Sequence, residues 1–146
     1  MRSATRIMMF TAVAGTLAGG ASAQSIVDMK GEWSTTGQAV VHNGGAHHPT
    51  SEPGKAVGEY RLREVKFTYN IEGQDGARFW GSLTSPYRTE RLMGSIAGDG
   101  KRVYMVDQDG IIDGVLVDAD TIDVCYREIK SASAIVSCNV VRRVRK

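Results

Sequence analysis

At 146 residues, the chain is long enough for one domain with a real core and too short for two. Its formal net charge of +2 equals the charge of Arg2 and Arg6 alone, so the rest of the chain is neutral overall. This charge balance predicts no nucleic-acid partner.

The first 23 residues have the pattern of a cleaved secretory signal peptide. Arg2 and Arg6 form a basic start, residues 7–20 form an uncharged and mostly apolar run, and Ala21-Ser22-Ala23 supplies the small-x-small cleavage site. The run is shorter than the about 20 apolar residues that a membrane span needs, and no second run follows. We therefore expect cleavage after residue 23, a single mature domain over 24–146, a periplasmic or secreted location and no membrane span after cleavage.

Beyond the leader, the chain alternates between short apolar–polar segments and turn signals, apart from a long polar loop at 42–56. The clearest alternation places Val65, Phe67, Tyr69 and Ile71 on one face. Eight strands are predicted, at residues 33–41, 65–72, 78–84, 90–97, 101–107, 111–117, 121–129 and 134–144. Such strands with mostly hairpin-length links favour an all-β antiparallel up-and-down barrel, and a two-sheet β-sandwich is the alternative.

Cys125 and Cys138 are the only cysteines, and an even count in an exported chain favours a disulfide. If Ser131 and Ala132 form a two-residue hairpin loop, the register places the two cysteines directly opposite each other. The Cα atoms of such a pair lie about 4.5 Å apart, which is within disulfide reach. The sequence therefore predicts one disulfide within the last hairpin.

Both ends of the predicted sheet carry a recognisable signature. Gly31-Glu32-Trp33 opens the first strand, and Arg142 and Arg143 lie on the last. These residues resemble the signature of the calycin barrels, which include lipocalins, avidins and small bacterial relatives. The resemblance implies that Trp33 plugs the closed barrel end and that Arg142 or Arg143 lies across its ring; strand parity leaves both arginines open. The chain is also similar to short exported bacterial proteins at residues 45–49, 73–81 and 107–110, a likeness that implies no activity.

An eight-stranded barrel is either filled by side chains or holds one small ligand. Our first hypothesis is a non-enzymatic protein that binds a small apolar or amphipathic molecule, with Trp80 at the rim of an interior lined by Phe67, Tyr69, Phe79, Tyr104 and Tyr126. The alternative is a protein-interaction module with a filled core, such as an inhibitor or an envelope-assembly factor. An outward Trp80 beside Arg78 would suit the alternative, because both residue types are enriched at interface hot spots. A cavity of roughly 300 Å³ or more would favour the ligand.

All three histidines, His42, His47 and His48, fall in the long polar loop. Imidazoles bind Zn²⁺ or Cu²⁺, and Glu52 offers a fourth ligand, so the loop is a candidate metal site. Adjacent residues in an extended chain point apart, which makes joint binding by His47 and His48 awkward. A solvated loop over the barrel mouth is the alternative.

The remaining polar residues indicate no catalytic group and no cofactor. Asp107 and Asp109 are interpreted as turn residues, because the glycine and glutamate spacing of an EF-hand calcium loop is missing. The chain has no nucleophile elbow and no C-x-x-C pair. A hydrolytic carboxylate pair among Glu32, Glu59 and Glu64 stays open.

Overall fold

The computed structural model describes residues 25–52 and 54–145, so the predicted leader and its cleavage site lie outside the described residues. The barrel strands form where buried apolar side chains alternate with exposed ones, as in the segment where Val103 and Met105 are buried and Tyr104 between them is exposed. Nine strands result: β1 (Gly31–His42), β2 (Lys55–Val57), β3 (Tyr60–Asp75), β4 (Arg78–Thr84), β5 (Thr89–Ile96), β6 (Arg102–Val106), β7 (Ile111–Asp118), β8 (Thr121–Lys130) and β9 (Ser133–Arg143). Within the described ranges, no helix has the length and apolar character needed to cross a membrane.

The sheet closes on itself. Strands β3 to β9 pair with their neighbours in chain order, and β1 completes the ring by pairing with β9 on one side and β3 on the other. All of these pairings are antiparallel. Strands β1 and β3–β9 therefore form a closed eight-stranded up-and-down barrel, which confirms the predicted fold.

Two features of the N-terminal half differ from the predicted strands. Strand β3 begins at Tyr60 rather than at residue 65, because β1 pairs with it as far as that residue. The short strand β2 overlaps the end of the predicted polar loop and pairs with residues 60–62, which β4 does not reach. Three residues are too short an alternation to identify a strand from sequence.

The ladder between β1 and β9 is interrupted near its middle. Pairing runs as far as Ser34 in β1 and resumes at Ala39. Within this gap, the Gln38 backbone N–H donates to Asn139 Oδ1 at 2.8 Å, and Ser137 Oγ donates to the Gln38 carbonyl at 2.8 Å. Side chains thus replace part of the backbone ladder where the barrel closes.

Strands β8 and β9 form the predicted hairpin. Lys130 faces Ser133, and Cys125 faces Cys138. The two cysteines form a disulfide with Cα atoms 4.0 Å apart, which confirms that prediction. A disulfide indicates an oxidising, non-cytosolic environment.

One end of the barrel, called the closed end here, is sealed by Trp33. Its side chain is 1% exposed, and its Nε1–H donates to the Met29 carbonyl at 2.9 Å. Arg143, rather than Arg142, lies over the ring, with its Cζ atom 4.0 Å from the centroid. The same guanidinium donates to the carbonyls of Asp28 and Lys30 at 2.6 and 2.7 Å, so it also holds the entering chain across this end.

Candidate functional site

At the opposite end, the mouth, a loop folds into the barrel. This mouth loop (residues 43–52) makes a tight turn in which Gly45 and His48 exchange two backbone hydrogen bonds of 3.0 Å. A Cβ atom at Gly45 would overlap a neighbouring isoleucine, so glycine allows the turn to sit this deep. His47 and His48 are 3% and 2% exposed, and their rings lie 5.4 and 6.0 Å from the Phe67 ring.

His47 is held by contacts at both ring nitrogens. Its Nδ1 lies 2.7 Å from Ser85 Oγ, and its Nε2 lies 3.2 Å from Glu90 Oε2. Ser85 is itself fixed, because its Oγ accepts the backbone N–H groups of Tyr87 and Arg88 at 3.2 and 3.3 Å. The β4–β5 turn therefore fixes one side of the imidazole, and the start of β5 fixes the other.

The mouth contains more carboxylates than cations. Arg88 Nε lies 2.6 Å from Glu90 Oε1, and Lys130 Nζ lies 2.9 and 3.0 Å from carboxylate oxygens of Asp109 and Glu128. Tyr126 also donates to the Glu128 carboxylate at 2.8 Å. We define the mouth cluster as four carboxylates, two cations and one imidazole: Glu90, Asp107, Asp109, Glu128, Arg88, Lys130 and His47.

Asp107 is the carboxylate that these cations leave uncompensated. Its Oδ1 accepts the backbone N–H groups of Asp109 and Gly110 at 3.0 and 2.6 Å. Its Oδ2 is buried and has no hydrogen-bond partner among the described residues. One ligand atom each from Asp107, His47 and Glu90 lie within 4.8 Å of one another, and no other group of this kind occurs in residues 25–52 and 54–145.

Burial and neighbouring charges shift the pKa values of two side chains at the mouth. Burial raises the pKa of Glu90, and the negative charges of Asp109 and Asp107 raise it further, whereas His47 and Arg88 lower it. Burial lowers the pKa of His48 to about 4, with smaller contributions from Arg63 and His47. The cluster therefore opposes additional negative charge, and His48 is a neutral imidazole at neutral pH.

A small cavity adjoins the cluster inside the barrel. Its volume is about 20 Å³, which is room for about one water molecule. Its wall includes His47, His48, Asp107, Phe67, Tyr69 and Tyr126. A small organic ligand would need the mouth loop displaced, and the ligand hypothesis stays a prediction.

The aromatic residues expected inside the barrel divide into three groups. Phe67, Tyr69 and Tyr126 line the cavity, and Phe79 is buried in the core nearer the closed end. Trp80 and Tyr104 lie outside, with 48% and 46% of their surface exposed. The expectation that Tyr104 lines the interior is corrected, because its neighbours along β6 take the inward positions and successive side chains alternate.

The predicted histidine site is only partly assembled. His47 and His48 are buried in the mouth, whereas His42 packs beside Tyr60 at 5.9 Å and lies 3.7 Å from Glu59. Glu52 accepts a hydrogen bond from a buried arginine through its backbone carbonyl. His42 and Glu52 are therefore not members of the mouth cluster.

Glu90 and Asp107 were missed as candidate site residues, although the sequence contained a signal for both. Glu90 falls on the same alternating face as Leu92, and Asp107 falls on the same face as Met105. An acidic residue in phase with a buried apolar face predicts a buried carboxylate. Their proximity to His47 was not predictable in this way, because it depends on the loop entering the barrel.

A second candidate site lies on the outer surface of β4–β7. Trp80 pairs with Met93, Met93 with Val106 and Val106 with Ile111, so four apolar side chains form one row across four strands. They are between 40% and 56% exposed. Tyr104 lies two residues from Val106 on the same outward face, and we call these five residues the outer patch.

Comparison of the chain with protein-family models, curated proteins and solved structures gives no match.

Proposed function

We propose that this protein is an exported interaction module, which binds a protein of the bacterial envelope through the outer patch. The observation that carries this proposal is the continuous apolar row formed by Trp80, Met93, Val106 and Ile111. Single exposed apolar residues are common on protein surfaces, but a contiguous group on a rigid sheet is typical of a contact site.

The composition of the patch supports this proposal. Trp, Tyr and Met are enriched at protein interfaces, and Trp and Tyr are frequent hot spots. Trp80 has a fixed place in the patch, because its indole covers Gly73 on β3 so closely that a Cβ atom there would overlap the ring. Arg91, two residues before Met93 and on the same face, adds an exposed cation at the margin. A preorganised aromatic anchor loses little conformational freedom on binding.

The proposal also covers the origin and location of the domain. We propose a calycin-like barrel, supported by the stacking of Arg143 on Trp33, and a periplasmic location, supported by the predicted leader and the disulfide. The small interior cavity favours the interaction module over a carrier of a small molecule.

Chemical cross-linking in intact cells tests the proposal. We expect the wild-type protein to form a discrete cross-linked species with an envelope protein, identified by mass spectrometry. The double variant Trp80→Glu, Met93→Glu should lose this species, because two buried charges oppose the interface. Val140→Glu, on the outer face of β9, is the matched control and should retain it. Equal cross-linking in all three proteins would exclude the outer patch as the binding surface.

A further inference from the structure

We propose that His47, Glu90 and Asp107 bind one divalent first-row transition-metal ion, such as Zn²⁺, beneath the mouth loop. The three side chains come from the mouth loop, the start of β5 and the turn directly after β6, so a bound ion would join three separate segments. This site is independent of the outer patch and of the proposed partner.

The distances suit a metal ion. The contact of 3.2 Å between His47 Nε2 and Glu90 Oε2 is close to the spacing of about 3.3 Å between two ligands of tetrahedral Zn²⁺. The three ligand atoms lie within 4.8 Å of one another, so small side-chain movements would complete the set. One imidazole and two carboxylates form a ligand set of the kind that Zn²⁺ takes in proteins, whereas Mg²⁺ and Ca²⁺ prefer oxygen ligands alone.

Charge supports the same conclusion. Four carboxylates and two cations meet in the mouth cluster, and a divalent ion would balance the excess of two negative charges. Asp107 Oδ2 is a buried oxygen without a hydrogen-bond partner, which is costly unless a cation approaches it. Glu90 is 2% exposed, so water does not screen its charge.

The proposed ligand His47 has a neighbour of the kind that orients metal ligands by hydrogen bonding. When a histidine binds a metal through one nitrogen, the other N–H usually donates to a fixed oxygen. Ser85 Oγ lies 2.7 Å from His47 Nδ1 and would accept its N–H in the tautomer whose Nε2 faces the ion.

The cavity supplies the remaining coordination position. Its volume of about 20 Å³ holds one water molecule, and both His47 and Asp107 line it. His48 also lines this cavity, is 2% exposed, and has a buried Nδ1 atom without a hydrogen-bond partner among the described residues. We infer three protein ligands and one water molecule, with His48 Nδ1 as the hydrogen-bond acceptor for that water.

Titration calorimetry with Zn²⁺ alone tests the site, on oxidised protein that has been stripped with EDTA and dialysed. We expect saturable binding of one ion per chain. Asp107→Asn should weaken the affinity at least 100-fold, and Ser85→Ala about tenfold, because the loss of an orienting partner typically costs 10- to 100-fold in affinity. Cobalt-loaded protein should show the visible absorption of a four-coordinate ion, whose intensity changes in His48→Phe.

Asp109→Asn is the matched control, because it removes a carboxylate from the same cluster without removing a proposed ligand. It should weaken Zn²⁺ binding less than tenfold. Circular dichroism confirms that each variant is folded, and Glu90→Gln replaces Asp107→Asn if the latter fails to fold. Absence of saturable binding to the wild-type protein, or equal losses in Asp107→Asn and Asp109→Asn, would overturn the proposal.

Discussion

The closed end and the mouth of this barrel are built on opposite principles. The closed end is apolar, with Trp33 and Met29 both 1% exposed and one arginine stacked over the indole. The mouth buries two histidines and a surplus of carboxylates around a cavity of about 20 Å³. Buried apolar area stabilises a fold, whereas buried charge without full compensation costs stability. The comparison predicts that substitutions at the closed end cost the most stability, and the cost of the buried charge at the mouth is in keeping with the metal site proposed there.

The closed end should show the largest effect of a single substitution. Trp33→Ala should lower the free energy of unfolding by about 3–5 kcal/mol, the usual cost of emptying a large aromatic core position. Urea denaturation monitored by circular dichroism provides the measurement. Trp80→Ala, at an exposed position, should cost less than about 1 kcal/mol, and a Trp33→Ala midpoint equal to that of this control would contradict the assigned role.

The disulfide lies midway between the two ends, so its loss tests whether either end depends on it. Cys125→Ser with Cys138→Ser should lower the free energy of unfolding by roughly 2–4 kcal/mol, because the unfolded chain gains conformational freedom. The barrel should still form, since the apolar strand faces are unchanged. Peptide mapping without reduction should detect the single cross-link in the wild-type protein, and two freely titrating thiols would contradict the β8–β9 pairing.

The mouth should be the acid-sensitive end of the metal-free protein. The pKa of His48 is about 4 when folded and about 6.5 in an unfolded chain. Between these values the unfolded state binds a proton that the folded state does not, so stability is lost as the pH falls from 6.5 to 4. The loss attributable to His48 is at most about 3 kcal/mol.

Glu90, whose pKa burial raises, has the opposite effect on stability as the pH falls. We isolate the contribution of His48 by comparing the pH dependence of stability in the wild-type protein and in His48→Phe. The charged or titratable neighbours that influence His48 are Arg63 from β3 and His47 from the loop. NMR titration of the His48 ring gives an independent value. Identical pH profiles for the two proteins would show that His48 does not set the acid limit.

The smallest expected change in stability is a gain rather than a loss. Asp107→Asn keeps an oxygen for the backbone N–H groups that Oδ1 accepts and removes one negative charge from a crowded, buried site. The metal-free variant should therefore be more stable than the wild type, by about 1 kcal/mol, as is common when a binding residue is replaced. Thermal unfolding in EDTA measures this difference. A clear loss of stability would mean that the carboxylate supports the fold rather than a ligand.

Much of the fold could be predicted because its determinants are local. Turn residues mark most hairpins, and the β8–β9 register follows from counting outward from Ser131 and Ala132. The face that each strand buries could not be assigned for β6, where Tyr104 and Met105 are both large and apolar. Only closure of the barrel decides which of them faces inward.

The candidate sites were harder to predict than the fold, since they combine distant segments. His47 and Glu90 are 43 residues apart in sequence, and they meet because the loop turns inward at Gly45. The outer patch depends on the register of four strands, which places Trp80 next to Met93. Local alternation predicts which residues share a face of one strand, but not which loop enters the barrel.

Closure of the barrel by its first strand has a consequence for folding. The β1–β9 seam pairs residues as far apart as Trp33 and Arg143, which are 110 positions apart in sequence (143 − 33). The hairpins from β3 to β9 can form as they are synthesised, but the ring stays open until β9 is available to β1. Folding dominated by such distant pairing is slow, and until it is complete the strands bordering the seam expose unpaired backbone groups to other chains. We therefore expect the barrel to be most vulnerable to aggregation before β9 pairs with β1.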